Sequence, residues 1–173
     1  LEGVLLLTKT GYVNVAIVGT TQTTDETVNP VMPTTAVGQV FATAAGFTWP
    51  LAGKSIVGFA ALESVASDAG ADAGTVHVGI AGATFGITPA SGKGPVYLAA
   101  TGLPDTAATA TSTNGAGFFG DLPPGDYTMK VTPPSGKTCT RGPKQGWVAA
   151  STDSVKVPAI ADYVVTAVCF DCK

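Results

Sequence analysis

The chain has 173 residues, 45% of them hydrophobic and only 12% charged, enough apolar material to bury a substantial core beneath a sparsely charged surface. A formal net charge of −3 with no basic stripe excludes nucleic acid as the main partner, and no apolar run reaches the ~18 residues of a membrane span. With 22 Gly and 12 Pro, the composition is that of a turn-rich β protein, too apolar for a disordered tail.

The opening LEGVLLLTKTG has no initiator Met and no basic n-region, and its apolar run at 4–7 is shorter than a signal-peptide core. The chain reads as a processed product beginning at Leu1, or as a fragment. With the low charge and the cysteine placement, this points to export. Residues 12–18 (YVNVAIV) alternate as a strand, with Val13, Val15 and Ile17 on one face. The polar stretch 20–35 is a loop. The apolar residues 37–53 are expected to be β, either in a small domain with 12–18 or as extra strands of one larger sandwich. Residues 57–67 (VGFAALESVAS) admit a short helix or a strand ending near Leu62, and Gly58 weighs against the helix.

Residues 67–74 (SDAGADAG) are the natural loop or linker. Beyond them the rhythm is regular: strands at 75–85 (TVHVGIAGATF), 95–100, 126–132, 154–157 and 163–170. The last, YVVTAVCF, is so apolar that it belongs at the centre of a sheet. Short strands separated by Gly/Pro punctuation predict an all-β protein, an antiparallel β-sandwich. The expected division is an N-terminal β segment or small β-domain at 1–66, a linker at 67–74 and a sandwich at 75–173.

The most legible stretch is TSTNGAGFFGDLPPGDYTMKV at 111–131. Asn114-Gly115 is a tight-turn dipeptide, after which Phe119, or its neighbour Phe118, enters the core. Pro123 fixes φ, and Gly125 supplies the positive φ that a type II turn needs after Pro124. Tyr127 starts the return strand with its ring inward and its hydroxyl available to cap loop backbone. The stretch reads as a corner between two core strands rather than a binding loop. Together with GKGPVYLAATG at 92–102, it resembles the transthyretin-like β-sandwich families, namely the carboxypeptidase regulatory-like domains and the B-type repeats of bacterial surface adhesins. Their pattern joins a G-x-P-V entry to T-D-x-x-G-x-F-x-F-x-x-L-P-P-G-x-Y-x-x-x-V. Thr111, Gly115, Phe119, Leu122, Pro123, Pro124, Gly125, Tyr127 and Val131 fall in register. Ser112 stands where the pattern has an acidic residue, and Gly117 where it has its first aromatic. The resemblance implies a transthyretin-like Greek-key C-terminal part with additional N-terminal strands, and a scaffold without chemistry of its own. Some adhesin relatives close a Lys–Asn isopeptide bond with the help of an acidic residue at the position of Val131. With valine there and no lysine at 76–85, no such bond is expected.

Few residues suggest chemistry. A disulfide from Cys139 to Cys169 or Cys172 would close a loop of about 30 residues and leave the third cysteine for an intermolecular link. The C-x-x-C of CFDC follows a strand and lacks the helix N-terminus that activates redox thiols. Three cysteines with His77 would number the four ligands of a zinc site, but their scattered spacing favours the disulfide. Asp25 and Glu26 read as a solvated pair, and Asp68 and Asp72 lack the oxygen spacing of a calcium loop. Trp49 and Trp147 are either a sugar-stacking platform or anchors of core and turn. No Ser–His–acid set is present, and neither a metal nor another cofactor is expected.

The expected function is that of an exported, non-enzymatic structural protein, secreted or at the cell surface. It would be a subunit of a filament or surface assembly built from copies of itself. Its arm at 4–18, with Val13, Val15 and Ile17 as contact strand, would add to a neighbour's sheet. The alternative is an accessory module binding polysaccharide or protein.

Overall fold

The computed structural model describes residues 1–20, 31–66, 75–142 and 146–173, and in them strand alternation builds two stacked sheets. The larger runs β1 (Glu2–Leu7), β2 (Val15–Thr20), β13 (Val164–Cys172), β3 (Ser55–Ala66), β8 (Ala116–Leu122), β6 (Lys93–Leu98) and β7 (Pro104–Asp105). β4 (Thr75–Gly79) adds to β3, and β10 (Cys139–Arg141) adds to β13. The smaller runs β11 (Trp147–Val148), β12 (Ser154–Ala159), β9 (Gly125–Thr132) and β5 (Thr84–Thr88). Pairing is antiparallel except where β13 runs parallel to β2 and β3. The fold is an all-β sandwich whose N-terminal strands β2 and β3 flank the C-terminal β13 in one sheet. As its composition predicts, β13 is central.

Period-two alternation fills the space between the sheets. Val57, Phe59 and Ala61 of β3 meet Phe85 of β5, Tyr127, Met129 and Val131 of β9, and Val155 and Val157 of β12. Phe59 is the hub: its ring stacks on Phe85 at 4.1 Å and contacts Tyr97 and Phe119 at 5.7 and 5.4 Å. The hub explains why residue 117 is glycine. A Cβ on Gly117 would lie 2.5 Å from Phe59 Cζ and 2.7 Å from the Val96 carbonyl oxygen. The neighbouring strand supplies the ring that residue 117 lacks.

The stretch 111–131 forms a corner that joins the two sheets, but not through the expected type II turn: Gly125 has φ +155° and already opens β9. β8 pairs with β3 and β6, whereas β9 pairs with β12 and β5, so Pro123-Pro124 carries the chain from one layer to the other. Leu122 and Phe119 are buried in the inter-sheet core, and Phe118 points to the opposite face, edge-on to Phe41 at 5.8 Å. The Tyr127 hydroxyl donates to the Pro123 carbonyl at 3.0 Å and so ties the corner to the start of β9. Tyr127→Phe is expected to cost about 0.5–1.5 kcal/mol, measured by urea unfolding, because only this bond is lost. In the turn before β8, Gly115 has φ +74° and donates to the Ser112 carbonyl. Ser112 caps this turn: its hydroxyl accepts from Asn114 N–H at 3.1 Å and donates to the Leu98 carbonyl at 2.7 Å.

Three expectations change. Residues 37–53 do not form strands: α1 (Thr35–Ala44) covers the outer face of the larger sheet. The Thr34 hydroxyl accepts from Val37 N–H at its start. At its end Phe47 N–H donates to the Ala42 carbonyl and Gly46 N–H to that of Thr43, with Gly46 at φ +73°. This is a Schellman cap, which stops the helix without help from charged residues. Residues 57–66 take the strand alternative as part of β3, which runs past Leu62 to Ala66. Residues 75–85 are two strands, because the chain changes sheets at Gly82 (φ +85°). The buried Thr111 hydroxyl holds that turn, accepting from Ala83 N–H at 2.9 Å and donating to the Ile80 carbonyl at 2.6 Å. The linker at 67–74 and the acidic pair Asp25/Glu26 lie outside the described residues.

Candidate functional site

The arm expected at 4–18 divides into two strands. β2 is held in the sheet between β1 and β13, with Val15 and the preceding Val13 buried in the subunit's own core and Ile17 half-buried. β1 is different. Among the described strands it pairs only with β2, from Glu2↔Thr20 to Leu7↔Val15. Its sequence EGVLLL is as apolar as a strand covered on both faces, yet Val4, Leu5 and Leu6 remain 38, 50 and 49% exposed. The reason is geometric: among the described residues the smaller sheet ends at the two-residue β11, which reaches only the start of β1.

Hydrogen-bond parity identifies which backbone groups of β1 face outward. Val164 N–H donates to the Asn14 carbonyl and Gly146 N–H to the Val18 carbonyl. Residues 14, 16 and 18 therefore turn their backbone groups away from β1, and 15, 17 and 19 turn theirs toward it. By register, Glu2, Val4 and Leu6 direct their N–H and C=O groups to the open edge of the sheet. One end of the strand is pinned by β11. Val148 N–H donates to Glu2 Oε1 at 3.1 Å, and the Trp147 indole N–H donates to the Gly3 carbonyl at 3.3 Å.

A second feature lies beneath α1, where a cavity of about 260 Å³ is lined by residues including Val13, Val37, Phe41, Phe47, Trp49 and Phe118. Every lining residue is apolar or glycine. Gly38 sets the helix close to the sheet: a Cβ there would lie 2.5 Å from Val13 Cγ2 and 2.8 Å from Trp49 Cη2. Such a wall accepts an apolar side chain or hydrocarbon and offers no group to orient a sugar hydroxyl.

The two tryptophans belong to different apolar clusters, Trp49 under α1 and Trp147 at the inter-sheet core. Cys139 and Cys172 form a disulfide, and Cys169 lies outside it. Thr138 and Lys173 exchange both backbone hydrogen bonds, which makes the next pair, Cys139↔Cys172, a non-hydrogen-bonded pair where strands approach most closely. His77 is exposed on β4, 3.3 Å from the Ser64 hydroxyl and 4.0 Å from Asp171. Among the described residues no group of three His, Cys, Asp or Glu side chains could hold a metal ion.

Asp121, at the end of β8, ties the bulge to the segment after α1. The β3–β8 register slips between Ser55 and Val57, and Asp121 adopts φ +54° at the bulge. Its carboxylate then accepts from Thr48 N–H at 2.8 Å and pairs with Lys93 Nζ at 2.8 Å. Burial alone would raise its pKa, but the hydrogen bonds from Lys93 and Thr48 outweigh it and hold the group below the usual carboxylate range. A depressed folded pKa gives stability that is present above the unfolded value, about 3.9, and lost as pH falls through the folded one. Asp121→Asn is expected to flatten the acid limb of a stability–pH profile. The remaining slope comes partly from Asp153, lowered by the Ser151 hydroxyl and then by Lys130.

No helix among the described residues is long and apolar enough to cross a membrane. No protein-family model matches the chain, and no curated protein matches it.

Proposed function

We propose that the protein is an exported, non-enzymatic structural subunit that joins copies of itself into an extracellular filament or surface assembly by β-strand addition. The observation that carries this reading is β1: an apolar strand that keeps Val4, Leu5 and Leu6 exposed and, among the described strands, pairs only with β2. Exposed apolar edges are templates for pairing with another chain, and folds that stay monomeric blunt them with charge, proline or bulges. β1 has none of these between Val4 and Leu7. The Cys139–Cys172 disulfide supports an oxidising compartment. The likeness of residues 75–170 to transthyretin-like adhesin repeats supports a scaffold role.

Electron microscopy and sedimentation across protein concentrations test the reading. The native chain is expected to form concentration-dependent assemblies, and a variant lacking residues 1–7 to remain monomeric. A native chain that stays monomeric at high concentration, with no fibres in the images, sinks the proposal. The alternative reading, a binding module, draws on the apolar cavity, which suits an apolar peptide segment better than polysaccharide. Retention on polysaccharide that is lost on Trp49→Ala would favour a carbohydrate module instead.

A further inference from the structure

Strand addition needs an acceptor as well as a donor, and we propose that the acceptor is the β2 edge itself. Glu2–Leu7 of a second copy takes the place of the subunit's own β1, so β1 is an exchangeable strand. This inference rests on the assembly reading above and names its interface.

The occupant is already displayed. Within one chain, β2 offers β1 a ladder from Gly19 to Val15, and β11 recognises its start through Val148 N–H on the Glu2 carboxylate and the Trp147 indole on the Gly3 carbonyl. The same segment from another copy would make the same bonds, which is why exchange of identical elements is a low-cost route to assembly. The connection permits it. The body of the subunit retains Gly11 and Val13 through Thr35 N–H to the Gly11 carbonyl at 3.0 Å and Val13 N–H to the Pro33 carbonyl at 2.9 Å. Between this anchorage and the end of β1 lie only residues 8–10, where Tyr12 N–H to the Lys9 carbonyl closes a single turn. Opening that turn breaks the hairpin without disturbing β2 or α1. Exchange also brings two subunit bodies beside β1, supplying neighbours that its exposed Leu5 and Leu6 lack in the isolated chain. Reciprocal exchange closes a pair, whereas one-way donation propagates a chain.

The competing geometry, in which a second strand adds to the outer edge of β1, is separable by experiment. Val4 and Val18 face each other in a non-hydrogen-bonded pair. Differently tagged Val4→Cys and Val18→Cys chains, each also carrying Cys169→Ser, are mixed, assembled and oxidised. Exchange gives a disulfide between the two variants in the assembled fraction. Leu6→Cys with Ala16→Cys, two residues along the same ladder, repeats the measurement if Val18→Cys perturbs the core. Assembly without a mixed disulfide in either pair, or with Val4→Cys linked only to itself, overturns the inference and leaves the filament reading standing. Absence of any assembly by the native chain overturns both. Val4→Pro gives an independent readout. It removes an N–H that points to the open edge, so it spares the β1–β2 ladder and blocks outer-edge addition. Val4→Pro is expected to assemble like the native chain, and loss of assembly with an unchanged monomer fold would count against exchange.

Discussion

Removing the Cys139–Cys172 disulfide by the double substitution Cys139→Ser/Cys172→Ser is expected to lower stability by about 3–4 kcal/mol, read as a shift of the guanidinium unfolding midpoint. The bond spans 33 residues, and chain-entropy arguments give this magnitude for a loop of that size. The loss acts mainly through the unfolded state, because the cross-link restricts the chain between the start of β10 and the end of β13. β10 is only three residues long, so without the bond it is also expected to detach first, seen as faster amide exchange at Thr140. A shift below about 1 kcal/mol would mean that the reduced chain already holds the two segments together before folding.

Phe59→Ala is expected to cost about 3–5 kcal/mol, the upper range for a buried aromatic, because its ring contacts Phe85, Tyr97 and Phe119 from three other strands. Its partner test is Gly117→Ala, expected to cost about 1–3 kcal/mol by overpacking against the same ring. In a Phe59→Leu background, part of the Gly117→Ala penalty should disappear, since a shorter side chain can yield to the new methyl. Strict additivity of the two changes would show that the Val96 carbonyl, rather than the ring, excludes a side chain at 117.

The strands and the corner were legible because their signals are local. Alternation in 126–132 and 163–170, and two prolines before Gly125, specify strands and a bend within a few residues of themselves. The split of 75–85 was not legible. Its alternation of Val76, Val78 and Ile80 shifts phase across Ala81-Gly82 without a strong turn signal, and the group that holds the turn is the hydroxyl of Thr111, a distant residue that nothing in the local sequence marks as a partner. The helix was missed for a different reason. Val37, Phe41, Ala42 and Ala45 have helical spacing between Thr34 and Gly46, but Gly38 and the β-branched valines lower helix propensity. α1 also carries no acidic residue in its first turn and no basic one in its last. Packing of its small-residue face onto Val13 and Trp49 decides the outcome, a tertiary effect. The cysteine pairing was likewise open between Cys169 and Cys172 until the β10–β13 register placed Cys172 opposite Cys139. At the candidate site, the apolar run at 4–7 was visible in the sequence. Which strand would be the exposed one depended on β13 covering β2, and that pairing joins opposite ends of the chain.

The position of β13 constrains the order of events during synthesis. Val164 pairs with both Val15 and Ile56, so β2 and β3, although made early, have no shared ladder until the last strand arrives. A nascent chain stopped before residue 164 holds two apolar strands with vacant flanks and cannot complete either layer's core. Such long-range pairing makes folding slow. Until residue 164 has been made, the sheet that holds β2 and β3 lacks the strand between them.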